Sequence, residues 1–538
     1  MKLSVLIIFL IIIPAELIHS QNSQPLIKLN GSVNLSTSYY SASGIDKRYP
    51  NGLSTAIVSS NINIADAIDI PLTAYISTDQ VSYQQSINRI GANPKIGDWL
   101  TLHGGYFNSK LSDLTFGETG VMGAGFDVRY KLLRASFFYG NVRDAINPDS
   151  ANSILGGFRR EGLGFKLGIG TENARVDFNF YKAKDIQSSI SDFKYPLAPT
   201  ENMVMSYSFA FPVFGDKLKV NGEIGGSAYT SDTRYEDHPV EGFPSWLYNI
   251  KYSTRFDFGT FLNLSYTPQP EYSFSLKGKW YGPGFVTTGI TEIQGDALDI
   301  EFSPNVRLMN NKLFLRSSFG VRYNNVRDTR TATTSRFIGS MSGTYQYSKN
   351  AGIDVSFMNY SIKSNAISDT ARINNVLNYF TVTPRFNFEG LGGFNNLFFT
   401  YSFQKFDDNN IIFAYNNKSS SHSASAVWSL AFISSLNFST SLNYQNSEFS
   451  TGNFKLSSLG GSAGYSFFNR KLNSSIGVNY SLFSSIADNN QLNLRLNFSY
   501  PVEKLGTISL YILRNEFNSD LNTNYKETQA VLQYYYNF

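Results

Sequence analysis

Apolar and polar residues alternate with a period of two along nearly the whole chain from Ile27 to Phe538, and no other feature constrains the fold as strongly. Successive side chains of a β-strand point to opposite faces, so such a segment is apolar on one side and polar on the other. In the first segment Ile27, Leu29, Val33, Leu35, Thr37 and Tyr39 alternate with Lys28, Asn30, Ser32, Asn34, Ser36 and Ser38. Near the end Leu492, Leu494, Leu496, Phe498 and Tyr500 alternate with Asn493, Arg495, Asn497 and Ser499. These segments reach the roughly 9–11 residues that a transmembrane strand needs, whereas ordinary globular strands average about 5–6. Beyond the N-terminal segment no apolar run approaches the roughly 20 residues of a membrane helix.

The connections alternate in length. Tight joints fall at Lys131–Arg134, Thr171–Asn173, Pro212–Lys217, Thr267–Glu271, Met309–Lys312, Ser348–Asn350, Glu389–Phe394, Phe432–Ser434, Phe468–Lys471 and Pro501–Lys504. Between them lie longer polar loops such as Asp144–Glu161, Lys184–Thr200, Ser231–Trp246, Pro283–Ala297 and Asp407–Ser420. Short turns on one side and long loops on the other are the asymmetry of outer-membrane barrels. A β-solenoid would repeat in sequence and show no such parity. The parity rule makes Leu247 to Tyr266 one long strand crossing Gly259, and Ile87 to Pro94 a weak strand. The fold class expected is all-β: a transmembrane antiparallel up-and-down barrel of about 26 strands, between roughly 22 and 28.

Composition agrees. Charged residues make up 16% and aromatics 15% of the chain, against about 25% charge in a typical soluble domain. There is no cysteine, which excludes disulfides and thiolate metal sites. A net charge of +4 is too weak to imply a nucleic-acid partner. Tyr39, Tyr106, Tyr130, Tyr266, Trp280, Tyr281, Tyr323, Tyr347, Tyr444, Tyr500 and Tyr536 gather near strand ends, where lipid headgroups favour amphipathic rings.

The two ends place the barrel. Lys2 followed by the apolar run Leu3 to Ile13 and the break at Pro14 reads as a secretory signal peptide, residues 1–20, cleaved after Ser20. The mature domain, 21–538, leaves about six residues before the first strand, which implies no N-terminal plug domain. At the other end Thr528, Ala530, Leu532, Tyr534, Tyr536 and Phe538 share one face, with Val531 and Tyr535 breaking the polar face opposite. This Phe-terminated strand resembles the C-terminal signal that barrel assembly machinery recognises in outer-membrane proteins. Tyr534, Tyr536 and Phe538 are accordingly the expected assembly signal, and the outer membrane the expected location.

Three further stretches resemble a family of Bacteroidota outer-membrane β-barrel proteins. They are Asn88–Gly105 (NRIGANPKIGDWLTLHGG), Gly120–Val128 (GVMGAGFDV) followed by Phe138–Asp144 (FYGNVRD), and Trp280–Gly289 (WYGPGFVTTG). The resemblance is strongest in the first 330 residues and implies fold and location only, with no activity to carry over.

Chemistry motifs are sparse. Gly460-Gly461-Ser462-Ala463-Gly464 matches the nucleophile elbow, which needs a strand, a strained turn and a helix, yet it sits inside an alternating segment. Of the mature chain's histidines, His103 projects to a polar strand face, and His238 and His422 lie in or beside the longer loops. The Asp/Asn-rich stretch Lys405–Asn410 reads as a solvated loop before a Ca²⁺ site. No Walker loop, dinucleotide glycine pattern or metal-ligand cluster is present, so the expectation is no enzyme, no metal and no cofactor.

The polar strand faces carry one asymmetry. Lys28, Arg129, Lys166, Arg175, Lys219, Lys251, Arg255, Lys277, Lys279, Arg307, Arg316, Arg322, Arg385 and Arg495 outnumber Asp127, Asp177, Glu223, Asp257, Glu301, Asp354 and Glu527. Cationic rings in a wide lumen favour anionic solutes; the alternative is paired charges that stiffen the wall. Lys277 and Lys279 precede Pro283, Gly284 and Phe285, where the strand breaks at the rim and the chain can fold inward. The functional expectation is a channel or translocation pore for solutes or a polymer. Its alternatives are a barrel that scaffolds a secretion or motility assembly and, as a minor one, an outer-membrane hydrolase. The partners implied are outer-membrane lipid, the barrel assembly machinery and, for so wide a lumen, a plug or envelope partner protein.

Overall fold

The computed structural model describes residues 26–538 except 79–87, 149–153, 155, 191–196, 291–292, 369–371, 411–416 and 522. The expected signal peptide, residues 1–20, lies outside the described residues. The first strands are β1 Ile27–Ser43, β2 Gly52–Ile64, β3 Ile68–Ser77, β4 Arg89–Ala92, β5 Lys95–Ile96, β6 Leu100–Ser109, β7 Thr119–Tyr130, β8 Leu133–Arg143 and β9 Arg159–Gly170. They continue with β10 Arg175–Ile186, β11 Glu201–Val213, β12 Leu218–Thr230, β13 Thr254–Gln269, β14 Tyr272–Tyr281, β15 Ala297–Leu308, β16 Leu313–Asn324, β17 Thr334–Gln346 and β18 Ala351–Ser364. The last are β19 Asn374–Gly390, β20 Gly393–Asp408, β21 Ser419–Phe432, β22 Leu436–Phe449, β23 Gly452–Phe467, β24 Leu472–Ser484, β25 Asp488–Val502, β26 Gly506–Ser519 and β27 Tyr525–Asn537.

Chain neighbours pair antiparallel, and β1 pairs with β27 from Ser32 opposite Asn537 to Ser43 opposite Lys526, which closes the wall. β4 and β5 are two pieces of one strand, since both lie between β3 and β6. The 27 named strands therefore form a closed antiparallel barrel of 26 positions. The break falls at Asn93-Pro94, where proline has no N–H to give the ladder. Beside it the backbones nearly touch: a Cβ on Gly91 would meet the Tyr106 carbonyl oxygen at 1.9 Å.

The tight joints run through left-handed backbone, as at Ala65–Asp66 (φ 55 and 56) and Leu391–Gly392 (φ 52 and 77). Such turns match the right-handed twist of the strands they join. The opposite side carries the longer loops through most of the wall. Towards the C-terminus that difference fades: only residues 450–451 join β22 to β23, and 485–487 join β24 to β25.

One face of the wall exposes Leu167, Ile169, Val176, Tyr207, Ile224, Phe258, Leu442 and Leu459; the other carries Ser, Asn, Thr and the charged residues. The apolar face is the outward one. With strands about 4.8 Å apart and tilted by about 40°, 26 of them enclose a section roughly 50 Å across.

The expected strand Leu247 to Tyr266 is corrected: the ladder begins only at Thr254. Its alternation does bury Tyr248 and Ile250, but in a loop laid over the outside of the barrel. Tyr248 and Ile250 pack with Phe180, Met203 and Ala228, outward residues of β10, β11 and β12. The Tyr248 hydroxyl meets Thr230 at 2.7 Å and donates to the Glu201 carbonyl at 2.9 Å. Burial pushes this phenol well above the usual tyrosine range. Lys182 Nζ bonds the Leu247 carbonyl at 2.8 Å, holding the flap down. Lys251, counted above among the lumen cations, instead pairs with Asp237 within this flap at 2.7 Å. A period-two pattern reports which residues are buried, and an apolar outer wall satisfies it as well as a ladder does.

Candidate functional site

Two loops from the long-loop side turn into the lumen and join over β6 to β14. The first, residues 110–118, follows β6. Its Leu111 and Ser112 amides both reach the Phe116 carbonyl, at 3.0 and 3.3 Å, making a compact turn. That turn presents Phe116 to Phe138 and Tyr181, with ring centroids at 4.6 and 5.0 Å. Room for it comes from small residues on the inward face of β9: a Cβ on Gly164 would meet the Phe138 ring at 2.3 Å and Leu111 at 2.7 Å. Glu223, inward on β12 and 1% exposed, anchors the loop. Its carboxylate accepts from the Asp113 amide at 3.0 Å and the Ser206 hydroxyl at 2.5 Å.

The second loop, residues 282–296, follows β14. Gly282 donates to the Phe258 carbonyl at 3.0 Å, and the Gly284 amide to Asp257 at 2.8 Å, so the turn begins where Pro283 ends the ladder. Phe285 is 1% exposed, packed with Leu114 of the first loop and Val204 of β11, its ring 5.8 Å from that of Tyr281. The Asn202 amide then clamps the loop. Its Nδ2 donates to the Val286 carbonyl at 2.9 Å and its Oδ1 accepts from the Thr288 amide at 2.8 Å. One side chain thus supplies the donor and acceptor that a neighbouring strand would give. Ser227 adds a hydroxyl to the Val286 carbonyl. The loops meet through Thr287 Oγ1 to the Thr115 carbonyl at 2.6 Å and the Gly117 amide to the Gly289 carbonyl at 3.0 Å.

Of the residues singled out by sequence, Pro283, Gly284 and Phe285 thus form the root of the second inward loop. Lys277 and Lys279 face the lumen from β14, opposite Asn263 and Phe261 of β13. Both line a recess of about 1100 Å³ on the tight-turn side of the two loops. Lys277 stands 3.7 Å from Glu301. Tyr534 and Tyr536 face outward on β27, and the Phe538 amide and carbonyl pair with Gly31 at 3.0 and 2.9 Å. Asn202 and Ser227 escaped the sequence reading, which placed Glu223 and Asp257 on the polar faces but not as loop anchors. The available signal was the run of inward glycines on β7 to β9, which marks a shallow wall with something packed against it.

The lumen cations divide between the two expectations. Arg175 and Arg385 sit in ion pairs with Asp177 and Asp354 at 3.3 and 2.9 Å, and Arg322 pairs with Asp299. Lys219, Lys279, Arg307, Arg316 and Arg495 have no carboxylate in ion-pair range among the described residues. The far wall differs again. Across β22 to β25 the middle of the inward face is mostly Asn, Ser and Gly, with Ser441, Asn443, Ser458, Asn479 and Asn493 among them. Arg495 is its one charged residue among the described ones.

Gly460, Ser462 and Gly464 lie within β23, Ser462 opposite Ser439 and Gly477, without the turn and helix of a nucleophile elbow. His103 bonds Asn93 at 2.7 Å and Asp127 at 2.8 Å. Ser136 gives its hydroxyl to Asp127 and not to the imidazole, so no serine–histidine pair results. His422 meets the Tyr401 hydroxyl at 2.8 Å, and His238 lies against Tyr252. Among the described residues no group of three or more His, Cys, Asp or Glu could hold a metal ion.

No family model and no curated protein matches the chain. Among solved structures it is similar to the outer-membrane protein opdK of Pseudomonas aeruginosa, at 12% identity and a TM-score of 0.31, covering 69% of this chain and 100% of that one. It is also similar to the ferric citrate transporter FecA, at 7% identity and a TM-score of 0.39, covering 96% and 79%. A third is the P pilus usher translocation pore PapC, at 10% identity and a TM-score of 0.27, covering 95% and 99%. Likenesses of that degree leave the cargo of this chain to be read from its own residues.

Proposed function

We propose that this chain is an integral outer-membrane barrel that carries solutes or an extended polymer through its lumen, of the Bacteroidota kind that its sequence motifs resemble. One observation carries the reading: the barrel is hollow. Its accessible surface is 32676 Å², against roughly 19,000 Å² for a compact protein of its mass. A wall with an inner and an outer face accounts for an excess of this kind. The outward face is apolar and its strand ends carry Tyr and Trp, for example Trp99 against Tyr130 at 6.1 Å, as the lipid interface favours. The tight turns then face the periplasm and the long loops the exterior. The mature protein is expected to begin at Gln21, to fractionate with outer membranes and to run faster on a gel unheated than boiled. Recovery in the soluble periplasm would sink the assignment.

Ion preference tests the path itself. Lys277 and Lys279 face water, and a charge there acts on ions within about 8 Å at physiological salt. Reversing both to Glu is expected to move the reversal potential of purified protein in planar bilayers towards cation preference while assembly stays intact. Leu276, exposed on the outward face between neighbouring Phe274 and Gly278, is the control. Arginine there is expected to impair insertion, at about 2–4 kcal/mol near the midplane. Protein that inserts but never conducts would move the function to the scaffold reading. The described loops cover only one sector of a lumen this wide, which leaves space for a partner protein. A stoichiometric companion in pull-downs from native membranes is the result that reading requires.

A further inference from the structure

We propose that the recess beneath the two inward loops is a binding site for a small organic anion with an apolar body, a carboxylate, sulfonate or phosphate attached to a ring or short hydrocarbon. The site deepens the channel reading and rests on it, because it lies where a solute crossing the lumen meets the wall.

Charge is the first ground. The recess of about 1100 Å³ is lined by more cations than carboxylates, and of its carboxylates all but Glu118 are already engaged. Asp177 is held by Arg134 at 3.0 Å and Arg175 at 3.3 Å, and Asp113 by Lys110 at 2.9 Å. Glu172 is bound by Arg129, and Glu223 is spent on anchoring the first loop. Lys219 and Lys279 keep no carboxylate within ion-pair distance among the described residues, and Lys277 reaches Glu301 only at 3.7 Å. Three lysines on one patch of wall thus face the cavity with most of their charge unspent.

Shape and apolar surface are the second ground. Phe261 stands directly opposite Lys279 in the ladder, and Tyr281 is the next inward residue along β14. Tyr281, and Ile293 of the second loop, both pack against the cluster of Leu114 and Phe285 and line the recess. A ligand can therefore rest a ring or chain on Phe261 and Tyr281 while its anionic end reaches Lys279 and Lys277. Recesses that bind small molecules share this makeup, an apolar bed with a few placed polar groups. The ceiling is pre-organised, because Asn202, Ser227 and Glu223 fix the loops that form it. Among the described residues the inward face of β22 to β25 carries a single cation, Arg495, in place of this cluster.

Calorimetry on the purified full-length barrel in detergent tests the site without a membrane. Three probes separate its elements: benzenesulfonate with anion and ring, inorganic sulfate with the anion alone, and phenol with the ring alone. Inorganic phosphate and benzoate, run beside them, distinguish a phosphate from a carboxylate requirement. Benzenesulfonate or benzoate is expected to saturate one site at least tenfold more tightly than sulfate, phosphate or phenol. Lys219→Gln with Lys279→Gln is expected to weaken it tenfold or more. The single variant Lys279→Gln, on a wall already polar, keeps the test open should the pair misfold. Equal affinity for sulfate and benzenesulfonate, or unchanged affinity in a folded lysine variant, would overturn the proposal. Conductance with no saturable binding removes the site and leaves the channel; binding without conductance keeps the site and removes the channel.

Discussion

Converting Tyr536 and Phe538 together to Ser is expected to cut the amount of assembled barrel at least tenfold, measured as the heat-modifiable fraction in outer membranes. The seam explains the size of the effect. β27 is the last strand made, yet it must pair with β26 on one side and β1 on the other. The β1 partners lie some 500 residues away in sequence, so nothing local holds them together before closure. Phe538 extends that seam beyond the named strand through its amide and carbonyl bonds to Gly31. Its ring reaches the space over Gly31, where a Cβ would meet it at 2.9 Å, and lies 6.0 Å from the Tyr536 ring. Serine at both positions removes the apolar surface that meets lipid at the joint and the signal expected to be read by assembly machinery. The matched control is Tyr480→Ser with Leu482→Ser on β24, which has long-established hairpin partners on both sides. Normal insertion of the terminal variant, or equal loss in the control, would refute the seam argument.

Releasing the second inward loop is the other change with a large expected effect. Asn202 is fully buried, and its amide satisfies the Ala228 and Val286 carbonyls and the Thr288 amide. Leucine fills a similar volume but offers none of these bonds. Each buried polar group left unmet costs about 1–3 kcal/mol, more than a short loop without secondary structure can absorb. Asn202→Leu is therefore expected to free residues 283–290, giving new protease cleavage there and noisier single-channel current, while the wall stays closed. Deleting residues 283–288 is expected to raise the conductance steadily, because the Phe285 anchor and the ceiling leave together. Protease resistance unchanged in Asn202→Leu would show that the clamp is dispensable. Conductance unchanged by the deletion would show that the loop stands outside the conducting path.

The sequence by itself determined the wall. Alternation with period two is local, and a barrel in lipid must satisfy every backbone group through neighbouring strands, so apolar phase and turn parity leave little freedom. Strand count and closure of β27 on β1 were legible in that way; the weak strand expected to end at Pro94 is instead interrupted there and resumes at Lys95–Ile96. Parity failed at Leu247 to Ser253 because burial, and not ladder pairing, is what alternation records. Tyr248 and Ile250 obey the pattern against Phe180 and Met203, which are adjacent only once the barrel has formed. The inward loops depended on the tertiary structure for the same reason. Pro283 and Gly284 announced that a strand ends and that the chain can fold inward, but not which residues receive it. That was decided by Asn202 on β11, Asp257 on β13 and the floor left open by Gly164 on β9, each distant in sequence from the loop it receives. The balance of charge in the lumen was likewise divided by contacts: the sequence counts lysines and arginines, while only the folded wall decides which of them already have a carboxylate.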